Sequence, residues 1–401
     1  MESRTALRQG SRDLVPNSQA LLLLPPGSDH ICRRKARALR FRCEQDVLVE
    51  ALTTAGRAAG RGGSLPVLSG LRLQLEGDRL ELTGSDLDLT ICATVKVAGE
   101  EDGRAVLPAR LALEIIRLLE PGAVELSTDG TEGRIVGGRS EFSLHLMPVE
   151  EYPQLAEPGG DSVTLDTGEF AEGLRQVVPA ASSDESRPIL TGVMLTAEGG
   201  GLRLVATDSY RLAVRDLPGS SVLEEGQSVL IPSRALQEVA RMLSDGDDLE
   251  IVLGERDASF MVGGVRLSTR LIEGEFPSYR NLIPENHPNR VMVGRHALIE
   301  ALRRVKLLAR EGAPVRLTFD TDSVRLVAIS QDVGQASEEL DAKYEGAELT
   351  VAFNPEFLLE GLEVTAGDEV ALETVDSLRP ALVRSPESPD FLYLLMPVRV
   401  S

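Results

Sequence analysis

Apolar residues recur in this chain at two spacings, every second position and every third or fourth, and the order of those spacings is repeated three times. Leu71, Leu73 and Leu75 alternate with polar residues, Gly77 and Asp78 follow, and Leu80 and Leu82 resume the alternation. This predicts a half-buried β-hairpin around a turn. Shifted by 122 positions without a gap, Pro66, Leu68, Gly70, Leu73, Leu80, Leu82 and Asp86 fall on Pro188, Leu190, Gly192, Leu195, Leu202, Leu204 and Asp208. A further shift of 122 carries Val193, Leu195, Leu202, Arg203, Leu204, Val205 and Ala206 onto Val315, Leu317, Val324, Arg325, Leu326, Val327 and Ala328. A period this long marks a repeated domain, since solenoid repeats are usually several times shorter.

Helical spacing flanks each hairpin. In the first repeat Leu48, Ala51, Leu52 and Ala55 share a face of a helix expected from Glu44 to about Ala59. LPARLALEIIRLLEPG reads as a second helix, with Pro108 at its start and Gly122 at its end, and RIVGGRSEFSLHLMP as a second hairpin on a Gly-Gly turn. The second repeat gives TGEFAEGLRQVV, IPSRALQEVARMLSDG and FMVGGVRLSTRLIEGEFP in the same order. The third gives RHALIEALRRVKLLAR, FNPEFLLEGLEV and ALVRSPESPDFLYLLMP, where Ser385-Pro386 takes the place of the two glycines. Each repeat is therefore an α+β domain. The expected division is a basic extension over residues 1–40 and domains over 41–157, 158–286 and 287–401, with linkers near 157–160 and 284–288.

Composition supports this size. With 42% hydrophobic residues the chain can fill three cores. Lys+Arg of 42 against Asp+Glu of 63 gives a net charge of −21, which opposes retention on nucleic acid by phosphate neutralisation alone. Residues 1–40 are an exception, basic and proline-containing, with a Leu21–Leu24 run too short for a membrane span or a signal segment; they read as a disordered arm or as the product of an upstream start codon. Cys32, Cys43 and Cys92 and four scattered histidines make no metal site, and the odd cysteine count suits a reducing cytoplasm.

Charge on the helices adds a second periodicity. Arg110 and Arg117 share a helical face, and Arg234 and Arg241 repeat them 124 positions later, with Glu114 and Glu238 between. Arg303, Arg304, Lys306 and Arg310 lie on the side away from Leu298, Leu302, Val305 and Ala309. Singly these are solvated surface charges. Their recurrence in an acidic chain indicates a shared basic surface. The third repeat departs, with Glu356 and Glu363 where the second has Arg234 and Arg241, so the surface should be uneven.

The threefold repeat, with ATDSYRLAV, EGEFPSYRNLIP, VAFNPEFLLEGL and the terminal YLLMPVRVS, resembles the bacterial sliding clamp family, the beta subunit of DNA polymerase III, across residues 41–401. The resemblance implies the DNA clamp fold: two head-to-tail subunits in a closed ring, helices lining the hole and sheets outside. Such a homodimer encircles double-stranded DNA, slides along it and tethers polymerases after an ATP-driven clamp loader has opened it. It carries no catalytic residue, metal or cofactor and has no membrane partner. The expected DNA-facing set is Arg57, Arg61, Arg110, Arg117, Arg175, Arg234, Arg241, Arg303, Arg304, Lys306 and Arg310, and the expected dimer contacts are Phe142, Leu307 and Leu308. Geometry favours two copies independently: six helices about 10 Å apart leave a bore of roughly 9 Å, twelve leave nearly 28 Å, and a duplex is about 20 Å across.

By the same resemblance, DNA polymerases and the clamp loader bind through short peptide motifs in a pocket between the second and third repeats. It would be lined by Leu190, Thr207, Ser209, Tyr210, Arg211, Leu212, Pro277, Asn281, Leu282, Asn354, Phe357, Leu378, Leu394, Leu395, Met396, Pro397, Val398 and Arg399. Several of these leucines read equally as core. Tyr210-Arg211 do not, since the first repeat has Asp88-Leu89 there and the third Asp332-Val333. Ser209-Tyr210 stand where many family members have Gly-His, and Asn281 where a basic residue is common. Two other classes compete. Asp166-Thr167-Gly168 imitates an aspartic-protease loop, but no second such triplet supplies the paired carboxylate. A clamp-fold paralogue acting as a peptide-binding scaffold, never loaded on DNA, shares every feature above.

Overall fold

The computed structural model describes residues 38–60, 63, 65–155, 159–160, 162–219, 222–244, 246–309 and 313–399. They belong to one compact unit, Ala36–Ser401. The basic extension, Arg61, Arg310 and much of the first expected linker lie outside the described residues.

One order of elements occurs three times. The first repeat runs β1 (Arg40–Glu44), α1 (Gln45–Gly56), β2 (Gly70–Glu76), β3 (Arg79–Ser85), β4 (Leu89–Lys96), an added β5 (Ala98–Glu101), β6 (Gly103–Pro108), α2 (Ala109–Leu118), β7 (Ala123–Thr128), β8 (Glu132–Gly137) and β9 (Ser140–His145). The second runs β10 (Ser162–Asp166), α3 (Thr167–Val177), β11 (Gly192–Glu198), β12 (Gly201–Thr207), β13 (Arg211–Pro218), β14 (Ser228–Pro232), α4 (Ser233–Met242), β15 (Asp248–Leu253), β16 (Asp257–Val262) and β17 (Val265–Arg270). The third runs β18 (Asn289–Gly294), α5 (Arg295–Lys306), β19 (Val315–Asp320), β20 (Ser323–Ser330), β21 (Gly334–Glu345), β22 (Leu349–Phe353), α6 (Pro355–Val364), β23 (Glu369–Thr374), β24 (Ala381–Ser385) and β25 (Ser388–Leu395). All three predicted central hairpins form, with Leu71, Leu73, Leu75, Leu80 and Leu82 and their counterparts turned into the core.

The second hairpins differ from expectation by one residue in two of three cases. In the second repeat Gly263-Gly264 do form the turn, closed by the Val262–Val265 pair. In the first the turn is Gly138-Arg139 and Gly137 ends β8, because a Cβ at Gly137 would meet Leu119 Cδ1 at 2.8 Å. In the third the turn is Pro386-Glu387, closed by Ser385 and Ser388. Asp166 of the protease-like triplet is the N-cap of α3, its Oδ1 accepting the Glu169 N–H at 3.0 Å, which supplies one donor the helix end cannot pair internally.

The repeats are joined by strand pairing. β4 of the first pairs antiparallel with β17, the last strand of the second, and β13 of the second pairs with β25, the last strand of the third. The result is one eight-stranded and one twelve-stranded sheet that each cross a repeat boundary, and a five-stranded sheet ending on β9. The counterpart of β4 and β13 in the third repeat is β21. Its residues 334–341 pair with β20, and β18 joins it only from Ala342 onward, so among the described strands their second edge has no partner. β9 likewise pairs with β8 alone. Strand pairing across the boundaries also merges cores: the largest apolar cluster takes in the second and third repeats together with Ala58, Leu89 and Ile91 of the first, whose other core residues form a cluster of their own, where three separate cores were expected.

Candidate functional site

The turn between β12 and β13 builds the most distinctive surface. Asp208 Oδ1 accepts the N–H groups of Tyr210 (2.8 Å) and Arg211 (3.0 Å), and Thr207 Oγ1 accepts that of Ser209 (3.1 Å), which fixes Ser209 at φ +82°. A non-glycine residue persists there only when its neighbours over-determine it. The turn throws Tyr210 outward, 60% exposed, with its ring stacked on Phe357 at 6.3 Å between centroids. The Tyr210 carbonyl accepts the Met396 N–H at 2.8 Å, and the Val398 N–H donates to Ala352 O at 2.8 Å. Tyr210, Phe357, Met396, Pro397 and Val398 are thereby drawn to one place. Pro277, Asn281, Leu282, Leu378 and Arg399 are exposed, whereas the Asn354 side chain is occupied in capping α6, accepting the Glu356 N–H.

Six residues expected on this surface are buried beneath it: Leu190, Thr207, Arg211, Leu212, Leu394 and Leu395. Leu212, Leu394 and Leu395 are 1% exposed, because the β13–β25 pairing places them in the sheet between two repeats, and Leu190 is buried beside them. Arg211 is also buried, at 8%. Its Nε donates to Asp208 (3.0 Å), Nη2 to Pro179 O (2.7 Å) and Nη1 to Glu360, and the guanidinium lies 4.4 Å from the centre of the Phe357 ring. Burial works against the charge of Arg211, yet its partners more than offset this and its pKa is raised. Burial also pushes the Tyr393 hydroxyl up, which keeps it protonated to donate to Phe357 O at 2.8 Å. Arg211 therefore holds Phe357 in place from behind.

Two partners of this turn escaped the sequence reading. Glu360 falls on Glu238 at the repeat period, and Glu238 on Glu114 at the helix spacing of 124, so an alignment of the three helices would have flagged it. Arg187, whose Nη1 reaches Asp208 O and Ser209 Oγ at 3.5 Å, stands where the first repeat has Leu65.

Of the expected basic helix positions, each described one except Arg117 is paired with a carboxylate. Arg110 binds Glu114, Arg175 binds Glu172, Arg241 binds Glu238 and Arg303 binds both Glu300 and Glu363. Arg304 binds Glu338 and holds that carboxyl below its ordinary range, while Lys306 binds Glu356. The acidic residues that interrupt the basic pattern in the third repeat are thus the partners of its cations. Arg57 and Arg234 work across the first boundary, pairing with Glu238 and Asp86. Arg175 crosses the second, donating from α3 to the terminal carbonyls of α6 at Glu363 and Val364. Arg117 donates to Thr53.

At the outer ends of the repeats, Phe142 on β9 is 39% exposed and Leu307 at the end of α5 is 74% exposed, while Leu308 packs partly against the core. Leu118 at the end of α2 is 87% exposed and was missed. Of its counterparts, Val364 at the end of α6 is buried and Met242 at the end of α4 is half-buried. Ile329 and Val333, beside the open stretch of β21, are exposed as well.

No group of three or more potential metal ligands occurs among the described residues, and no described helix is long and apolar enough to cross a membrane. Three family descriptions match in succession: DNA polymerase III beta subunit, N-terminal domain over residues 39–156, central domain over 164–278 and C-terminal domain over 280–399. The chain is 37% identical to the beta sliding clamp of Streptomyces coelicolor over 90% of its own length and 100% of that protein, and 31% identical to that of Bacillus subtilis over the same shares. The crystal structure of the Bacillus subtilis DNA polymerase sliding clamp superposes with a TM-score of 0.86 at 30% identity, covering 91% of this chain and 100% of that one. A Pseudomonas aeruginosa sliding clamp bound to griselimycin superposes with a TM-score of 0.85 at 28% identity over the same shares. Matched by the three domain descriptions in succession from residue 39 to residue 399, the chain belongs to the beta sliding clamp family, the non-catalytic beta subunit of DNA polymerase III that acts as a processivity factor in DNA replication.

Proposed function

We propose that two copies of this chain close head to tail into a ring around duplex DNA in the cytoplasm, with the basic helices facing the duplex, and that the surface around Tyr210 and Phe357 receives short peptides from polymerases and the clamp loader. The observation that carries the ring is the joint used at both internal boundaries, where the third long strand of one repeat pairs with the last strand of the next. The same rule applied to the open edge of β21 calls for β9 of a second copy. It also explains three end features: Leu118, Phe142 and Leu307 are exposed because their cover lies in the other subunit. A two-membered closed contact leaves no free interface.

Enclosure accounts for the charge. A ring that cannot fall off needs little phosphate affinity, and cations already shared with Glu and Asp neighbours give a duplex loose guidance, compatible with sliding. The peptide surface has a rigid aromatic plate, Phe357 fixed by Arg211, with Tyr210 on its open side and the Met396–Val398 backbone beside it. An extended peptide with a polar anchor and apolar side chains fits it.

Two measurements test the proposal. In light scattering at micromolar concentration the chain should run as a dimer, and Leu118→Asp together with Leu307→Asp should give a folded monomer; a dimer surviving both changes rejects the joint. After loading on nicked circular DNA the protein should be retained and should be lost when the circle is cut. A dimer that binds polymerase peptides and is not retained is instead the scaffold paralogue.

A further inference from the structure

The linker from the second repeat to the third folds against the loop between β23 and β24 and forms with it an open groove of about 830 Å³. Arg280, Arg379, His287, Asn281 and Asn286 are among its lining residues, with Glu285 as the one carboxylate. The groove is distinct from the Tyr210–Phe357 plate, but Asn281 belongs to both surfaces and Arg379 follows the exposed Leu378. In a chain of net charge −21 the lining carries two guanidiniums and one carboxylate, with Glu198 and Asp376 beside it as partial partners of the guanidiniums. Both guanidiniums are more than half exposed. Arg280 uses one Nη on Glu198 at 2.6 Å, and Arg379 approaches Asp376 only to 3.6 Å, so each keeps donors for another acceptor. The Nδ1 atom of His287 is buried with no hydrogen-bond partner.

We infer that this groove extends the peptide surface and receives the carboxylate side chains of an acidic stretch flanking the apolar anchor of a partner peptide. The inference rests on the peptide-binding reading above and deepens it. Carboxylates suit the site because a guanidinium offers a planar fork of donors that a carboxylate can accept two at a time. The neutral Asn281 at the junction lets apolar and acidic segments pass without a competing cation. Two exposed pairs of this kind together give about a fivefold gain in affinity, which added salt should erode.

The test uses the full-length protein and fluorescein-labelled peptides of sequence Gln-Leu-Ala-Leu-Phe, extended on either side by three Asp or three Asn, with anisotropy as readout. On one side the Asp peptide should bind about fivefold tighter than its Asn counterpart. The Arg280→Ala, Arg379→Ala double variant should abolish that preference while binding the Asn peptide unchanged, and Arg379→Glu should reverse it. Both side chains are exposed, and Glu198 keeps Arg203 as a partner at 2.7 Å, so the variants should fold. Equal binding of Asp and Asn peptides on both sides, or a preference that survives the double variant, overturns the acidic-flank inference and leaves the peptide-binding reading intact. Failure of every peptide to bind overturns the peptide-binding reading and this one with it.

Discussion

The two internal boundaries are built on the same backbone and do different things. Both join a third strand to the following repeat's last strand, and both are closed by an Asp-led turn whose second residue has positive φ, Leu87 at +83° and Ser209 at +82°. At the first boundary the two residues after that are Asp88 and Leu89, and Leu89 is core. At the second they are Tyr210 and Arg211. The small apolar cluster at the end of the first repeat, with Tyr152 at its centre, lies wholly within that repeat, whereas its analogue around Tyr279 takes in Leu382 and Leu394 from across the boundary. One boundary is a closed joint held by the β4–β17 pairing, by Ala58, Leu89 and Ile91 packed into the apolar cluster of the second repeat, and by ion pairs from Arg57 and Arg234. The other is braced internally by a buried cation and is free to present an aromatic plate. The same turn backbone thus carries Asp88 and core Leu89 at one seam, and exposed Tyr210 with buried, braced Arg211 at the other.

Charge removal should separate the two seams most strongly. Arg211→Ala leaves Asp208 buried without its partner and takes the support from behind Phe357, so it should cost about 3 kcal/mol of unfolding free energy in urea titration. A loss under 1 kcal/mol would mean that Arg211 is not a brace. Next in size is an alkaline effect at the first repeat's closed cluster. A tyrosine in the unfolded chain ionises near pH 10, and burial pushes Tyr152 up to about 12. The folded state thus holds this proton longer, and the stability it contributes is present below pH 10 and is lost as pH rises toward 12. The size is about 2.7 kcal/mol at most. Tyr152→Phe should flatten that part of the decline, at about 1 kcal/mol of neutral-pH stability for the lost bond to Thr83 O; an unchanged alkaline limb would place the sensitivity elsewhere. At the first seam itself, Arg234→Ala removes a half-exposed pair with Asp86 and should cost about 0.5 kcal/mol, falling further in salt.

What the sequence disclosed and what it hid follow from the range of the forces involved. The hairpins and the helix faces were legible because alternation and helical spacing are local and because burial enforces them, as at Leu73, Leu195 and Leu317. The protease-like Asp166 was rightly discounted and proves to be a cap. Turn positions slipped by one at Gly137, where Leu119 packs against the missing Cβ, and at Ser385, and no local signal reports either. The resemblance placed Arg211 in the pocket lining, and its burial rests on a pairing with Glu360 that spans 149 positions and leaves no local signal. Leu118 was hidden by its neighbour Leu119, which is core, so that only the comparison with Met242 and Val364 reveals an end without a cover.

The smallest effect is the most discriminating about whether the two turns are equivalent. Leu87 and Ser209 sit 122 positions apart at the same positive φ, a region where an L side chain is held at a cost of roughly 1 kcal/mol relative to glycine. Glycine releases that strain but adds freedom to the unfolded chain, so Leu87→Gly and Ser209→Gly should each stabilise by only about 0.5 kcal/mol. Neither side chain contributes much burial to offset this, since Leu87 is exposed and Ser209 lies at the surface. The two should diverge in function. Ser209→Gly keeps the Asp208 bonds that aim Tyr210, yet removes the hydroxyl that Arg187 reaches, and so should change peptide affinity by less than about twofold while Leu87→Gly changes it not at all. A large loss of peptide binding from Ser209→Gly with unchanged stability would show that the Arg187 contact, rather than the backbone of the turn, orients the plate.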